Sequence, residues 1–292
     1  MGTTTHRYKI GDVEILAFSD AVVDYPWPLT ELYPDVPLEA WTPYRARYPG
    51  AFGGENVLRL DYGCYLIRSQ GRTVLVDTGM GPATTPWAGF LKQSGTLLSG
   101  LEAAGVQPGE VDIVVLTHLH PDHVGWALTQ EGASCRATFP RARYVVHRAD
   151  WDAFQTPEVQ AHFPFSYVDE TITPLRELGV LELIDGERAL TDELTTLHTP
   201  GHTPGHMSVL VSSAGERGII LGDVMLHPAE VTEPDWKIMF EMDPAMTVKT
   251  RRRVLERIEA EGLHVVACHF PDPGIGQIVR VEGRRYWQAL GS

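Results

Sequence analysis

The sequence predicts a layered α/β or α+β fold, on three observations. Short apolar runs of strand character alternate with helical patterns along most of the chain. The 292 residues, 43% hydrophobic and 21% charged, suffice to bury a sizeable core in one large domain with the composition of an ordinary soluble globular protein. Several apolar runs also end directly in a histidine or aspartate, as strands do where a rigid scaffold delivers side chains to a cleft.

In chain order, Tyr8 to Asp20 (YKIGDVEILAFSD) sets a Gly-Asp pair between two strand-like runs, which predicts a β-hairpin. The next stretch, about residues 21–54, is rich in proline and aromatics. It is too apolar for a flexible linker and too proline-broken for long regular elements, so an ordered loop packed on the body is expected. YGCYLIRS and RTVLVDTG read as strands around a Gln70-Gly71 turn. A helix is expected over SGTLLSGLEAAG, where Leu97, Leu98 and Leu101 share a face and Gly105 ends it. Strands follow at VDIVVL and ARYVVH, a helix near RADWDAF, strands at TTLHTPGH, MSVLVSS and RGIILGD, a helix through TRRRVLER, and a last strand at LHVVACH. The basic cluster from Thr250 to Arg257 is read as a solvated helix face.

A formal charge of −14 repels polyphosphate and argues against a nucleic-acid partner. The N-terminal residues lack a basic segment followed by an apolar one, and no apolar stretch approaches the length of a membrane span. Cys64, Cys135 and Cys268 are too few and too scattered for a disulfide framework. The expectation is a cytoplasmic protein with a small-molecule substrate, a homodimer being left open.

The chemistry concentrates in THLHPDHVGW, Thr117 to Trp126, directly after the apolar run VDIVVL. Further strand ends supply His202, Asp223 and His269. With 12 histidines in the chain, an H-x-H-x-D-H match arises by composition on the order of once in a thousand such sequences. Imidazoles and carboxylates suit zinc, and also iron or manganese, while the absence of thiolates from the cluster argues for an open, catalytic site. In an extended loop His118 and His120 point to one side, leaving Asp122 and His123 for a second position. Two metals are therefore expected.

THLHPDHVGW, TPGHTPGH (Thr199 to His206), LGD (Leu221 to Asp223), CHF (Cys268 to Phe270) and the upstream VDTG resemble, in that family's order, the five motifs of the metallo-β-lactamase superfamily. The resemblance implies a four-layer αββα sandwich over residues 1–292. It implies that His118, His120 and His202 hold one divalent ion, and that Asp122, His123 and His269 hold a second. Asp223 would bridge the two, and Asp77 would orient a ligand from behind. The ions implied are zinc, with manganese, cobalt or iron as alternatives. His206 is assigned a supporting place behind the ligands, whereas His147, His198 and His264 are read as structural histidines.

HLHPDHVG, the doubled TPGHTPGH, HRADW, the RRRVLERI helix and the tail are similar to the N-acyl homoserine lactonase and methyl parathion hydrolase-like group. What this implies is hydrolysis of a lactone, an aryl or acyl ester, or a phosphotriester by a hydroxide held between two metals, with Asp122 and Asp223 in the catalytic centre. A glyoxalase II-like or polyketide-type thioesterase or cyclase, and a mononuclear iron persulfide dioxygenase, are the alternatives. Trp126 stands where that group commonly has glycine, and Leu226 where its lactonases carry a tyrosine. With His227, Trp27 and Trp41, these two residues are the expected pocket wall.

Overall fold

The computed structural model describes residues 5–132, 134–161 and 167–290. Its strands are β1 (Thr5–Ile10), β2 (Val13–Pro28), β3 (Phe52–Gly54), β4 (Val57–Ser69), β5 (Arg72–Val76), β6 (Ile113–Val115), β7 (Leu128–Glu131), β8 (Ser134–Ala137), β9 (Arg143–His147) and β10 (Leu181–Ile184). They continue with β11 (Leu194–His198), β12 (Met207–Ser213), β13 (Glu216–Ile220), β14 (His264–Val266), β15 (Ile275–Val281) and β16 (Arg284–Ala289). One mixed sheet runs β1-β2-β4-β5-β6-β9-β10 with β3 paired to β4, and a second runs β11 to β16 in order. The strands β7 and β8 form a separate hairpin.

Period-2 alternation explains why the sheets stack and why each also carries helices. Along β5, Val74 and Val76 face the second sheet, where they meet Val209, Val211, Ile220 and Val266, while Leu75 faces away. Leu75 and Val114 are instead covered by Leu97 and Leu101 of helix Leu97–Ala103 and by Phe154 of helix Arg148–Phe154. On the far side of the second sheet, Ile219 and Val265 pack with Val254, Leu255 and Ile258 of helix Pro244–Glu261. These are the four layers α, β, β and α.

Helix Pro244–Glu261 is bounded by sequence chemistry. Asp243 accepts the Met246 N–H at 2.9 Å, Pro244 takes the first turn, and Gly262 ends the helix at φ 62°. One part of the sequence expectation fails here: the basic cluster is not wholly solvated. Arg251 is fully buried, because it lies on the inward stripe with Thr247, Thr250, Val254, Leu255 and Ile258.

The aromatic and proline-rich stretch also departs from expectation. It is ordered, but β2 runs on to Pro28 instead of giving way to a loop near residue 21. Beyond Phe18 the strand has no partner on its β1 side among the described residues, and its pairing with β4 shifts register between Asp24 and Pro28. The missing N–H groups of Pro26 and Pro28 are tolerated at such an edge. The rest forms short helical turns that pack Tyr33, Trp41 and Tyr44 into the cluster holding Val254 and Leu255. No helix among the described residues is long and apolar enough to cross a membrane.

Candidate metal centre

The histidine-rich segment leaves β6 and turns at once, so the extended loop expected from its spacing stops at His120. Pro121 starts a single helical turn, Pro121–Val124, that carries Asp122 and His123. The turn is pinned from below. The N–H groups of Thr78 and Gly125 donate to His123 O and Gly79 O at 2.8 and 2.7 Å, and a Cβ on Gly125 would lie 2.0 Å from the Met80 carbonyl carbon. Only glycine permits that approach.

Two groups of donors converge. His118 Nε2 and His202 Nε2 lie 3.0 and 2.8 Å from His120 Nδ1, and Asp223 Oδ2 lies 3.7 and 3.2 Å from His118 and His202. On the other side of Asp223, its carboxylate oxygens lie 3.3 Å from His123 Nε2 and 3.1 Å from His269 Nε2. Asp122 Oδ2 stands 3.8 and 3.7 Å from the same two ring nitrogens. The structure thus brings together all seven residues expected as ligands, with Asp223 between the groups.

The ring nitrogens facing inward fit cations between them. His123 Nε2 is buried without a hydrogen-bond partner, and the ring nitrogens of His118 and His202 crowd within 3.0 Å of His120 Nδ1, beside the Asp223 carboxylate. Such an array is stabilised by cations, and the site is one for two divalent ions. The opposite nitrogens are held. His123 Nδ1 lies 2.8 Å from Asp77 Oδ2, and His269 Nδ1 donates to Asp61 O at 2.8 Å. Thr117 donates its hydroxyl to Asp77 Oδ2 and its N–H to Asp77 Oδ1, and it sits 3.1 Å from His118 Nδ1. These contacts turn the remaining nitrogen of each ring toward the centre.

His206 supports Asp223 rather than an ion. Its Nε2 accepts the Asp223 N–H at 2.8 Å, its Nδ1 lies 2.8 Å from Thr199 Oγ1, and burial pushes it down to about 3, so it stays neutral. A Cβ on Gly222 would stand 2.5 Å from that Nε2, which, with φ 56°, explains the glycine of LGD. Burial opposes ionisation of Asp223, but His269 and His123 hold its carboxyl well below the usual range. Burial would lower His202, yet Asp223 and Glu241 raise it to about 9.

A cavity of about 410 Å³ opens onto the centre at His120, Asp122, His202 and Asp223. Its other lining residues include Tyr25, Trp27, Trp87, Leu226, Met239, Phe240 and Glu241. Of the five residues expected as pocket wall, Trp27 and Leu226 are there. Three are not. Trp41 is fully buried against Tyr33, Trp236 and His227, and His227 is enclosed by Trp41 and Phe52 with its Nδ1 accepting the Ala229 N–H. Trp126 points into the opposite core, where its indole N–H donates to Asp20 Oδ1 at 3.0 Å.

Two residues near the centre escaped the sequence reading. Cys268 donates its thiol to Asp223 Oδ1 at 3.2 Å, and burial with the nearby Asp223 and Asp77 carboxylates pushes that thiol well up. It is therefore a hydrogen-bond donor to Asp223, although its sulfur lies within ligand range of His123 and His269. Glu241 is the other, and its only sequence signal is the helix cap that follows it.

An αββα sandwich with histidines and aspartates converging at its strand ends defines a class of metal-dependent proteins with a two-ion centre. The chain belongs to the metallo-beta-lactamase superfamily, whose sequence model matches residues 63–269. An N-acyl homoserine lactonase of Bacillus sp. is 28% identical over 57% of this chain, which spans 64% of that relative's length. AttM, an N-acyl homoserine lactonase of Rhizobium radiobacter, is 26% identical over 71% of this chain and 81% of its own. Among solved structures, the hydrolase AbOPH of the beta lactamase superfamily aligns at TM-score 0.84 and 26% identity over 99% of this chain and 98% of its own. The dizinc quorum-quenching lactonase AidC aligns at TM-score 0.83 over 100% of this chain and 99% of its own, at 19% identity, a likeness of fold.

Proposed function

We propose that this chain is a dinuclear zinc hydrolase of a neutral ester-like substrate, a lactone, carboxylic ester or phosphotriester, bearing an apolar acyl or aryl group. The observation that carries this reading is the cavity. It joins the ligand cluster, through His120, Asp122, His202 and Asp223, to an aromatic and aliphatic wall, and among the described residues no lysine or arginine lines it. A substrate with carboxylates remote from its scissile bond, such as a glutathione thioester or persulfide, would find no lysine or arginine in that wall to pair them. The relatives named as lactonases support the lactone within the class.

His118, His120 and His202 would hold one ion, Asp122, His123 and His269 the other, and Asp223 both. Bound there, two ions would supply Lewis acidity at the scissile group and a water nucleophile at neutral pH. Asp223, hydrogen-bonded to Cys268 on one oxygen and facing the cavity, would shuttle the proton of the attacking water to the leaving oxygen. Tyr25, Trp27 and Phe240 exclude water and hold the apolar group.

The test is a panel of initial rates. Neutral lactones, aryl esters or phosphotriesters should turn over, with kcat/KM at least about 100-fold above that for a glutathione thioester. Preference for the glutathione compound, or oxygen uptake with a persulfide, would overturn the reading. Within the preferred series, Trp27→Ala should raise KM roughly tenfold for long-chain or aryl substrates and little for the acetyl or methyl homologue, the difference expected for about 1–2 kcal/mol of apolar contact.

Metal uptake should depend on pH. With His202 raised to about 9 in the metal-free protein, an entering ion displaces a proton at pH 7, so affinity should strengthen as pH rises from 7 towards 9. Zinc added to metal-depleted protein in weak buffer should release at least about one proton per chain. Uptake without proton release would contradict that titration.

A further inference from the structure

The ring nitrogens that face away from the centre have assigned acceptors for His118, His123 and His269, in Thr117, Asp77 and the Asp61 carbonyl. His202 differs. Its Nδ1 is buried and has no hydrogen-bond partner, and Glu241 Oε2 stands 3.6 Å away, the closest charged group behind the ring. That separation is of ion-pair range and slightly long for a hydrogen bond.

The carboxylate is held from three directions. Arg251 donates to Glu241 Oε1 at 3.0 Å, Thr247 donates its hydroxyl to Oε2, and the N–H groups of Met242 and Asp243 strap the segment to the carbonyls of His202 and Gly201 at 3.0 and 2.9 Å. Arg251 is itself fixed. Its Nε donates to Val224 O at 2.9 Å and a terminal nitrogen to Trp236 O at 2.6 Å. Glu230 lies 3.4 Å from the same guanidinium, so the cluster has two carboxylates and one cation. One surplus negative charge is thus buried beside the centre, where a bound cation would offset it.

We propose that Glu241, clamped by Arg251 and Thr247, is a positioning residue for the metal centre. Its carboxylate faces His202 Nδ1 as the acceptor for the ring N–H, fixes that tautomer, and turns a more basic Nε2 onto the ion. The proposal rests on the two-metal reading and adds to it a residue that none of the superfamily-like motifs contains. Glu230 shares Arg251 but touches Tyr33 and the backbone N–H groups of Leu226 and His227 rather than a histidine ring, and so provides the comparison.

The experiment measures zinc affinity of metal-depleted wild type, Glu241→Gln and Glu230→Gln by competition with a chromophoric chelator, with circular dichroism recording the fold. Glu241→Gln should weaken binding roughly 10- to 100-fold and Glu230→Gln less than about threefold, although both lose a carboxylate from Arg251. Equal affinity of Glu241→Gln and wild type, or equal weakening in both variants, would overturn the proposal. Wild type that takes up no metal would overturn the two-metal reading and this proposal with it. Should Glu241→Gln not fold, the ring-proton spectrum of zinc-loaded wild type decides: a slowly exchanging His202 Nδ1 proton is expected, and a freely exchanging one would refute the link.

Discussion

Asp223→Ala is expected to reduce hydrolysis by at least about 10³-fold and to lower metal content below two ions per chain. The reason is geometric: among the described residues this carboxylate alone approaches ring nitrogens of both groups, His202 and His118 on one side and His123 and His269 on the other. The fold should survive. Asp223 lies just beyond β13, its backbone N–H is held by His206, and neither sheet uses its side chain. Circular dichroism and metal analysis of the variant check both halves, and turnover above about a tenth of wild type would show that Asp223 is not the shared donor.

Arg251→Met should be the most damaging substitution for stability. It leaves Glu230 and Glu241 buried without their common cation and frees the Val224, Pro234 and Trp236 carbonyls. Loss of one partner from a buried ionic cluster costs about 3–5 kcal/mol, which for a chain of this size lowers Tm on the order of 10 °C. Adding Glu230→Gln and Glu241→Gln should recover part of the loss, because the unpaired charges go with the carboxylates. Thermal melts of the single and triple variants check this. A single variant that melts within about 2 °C of wild type would mean the cluster is not held by its charges.

The ligand set was legible because its chemistry is written in residue type. His118, His120, Asp122 and His123 crowd one turn, and His202, Asp223 and His269 each end an apolar run, so strand ends alone pointed to one cleft. The wall of that cleft was much less so. Trp27, Trp41 and Trp126 are alike as sequence features, but Trp27 shares a face of β2 with Tyr25, whereas Trp41 sits in a 3₁₀ turn aimed at the core and Trp126 bonds to Asp20. The two-residue spacing of Tyr25 and Trp27 carried the signal.

Arg251 and the tail illustrate two other limits. A buried arginine looks solvated unless the inward stripe Thr247, Arg251, Val254, Leu255 and Ile258 is traced residue by residue. The tail forms the β15–β16 hairpin, yet Gln277, Arg280 and Glu282 are exposed and only part of one face is buried, which weakens alternation as a marker.

The most direct test is stoichiometric: zinc is returned stepwise to metal-depleted protein while hydrolysis of the best neutral substrate is followed. The two-ion centre predicts full activity only as the second equivalent per chain is bound. Full activity at one equivalent, with no further uptake, would contradict it.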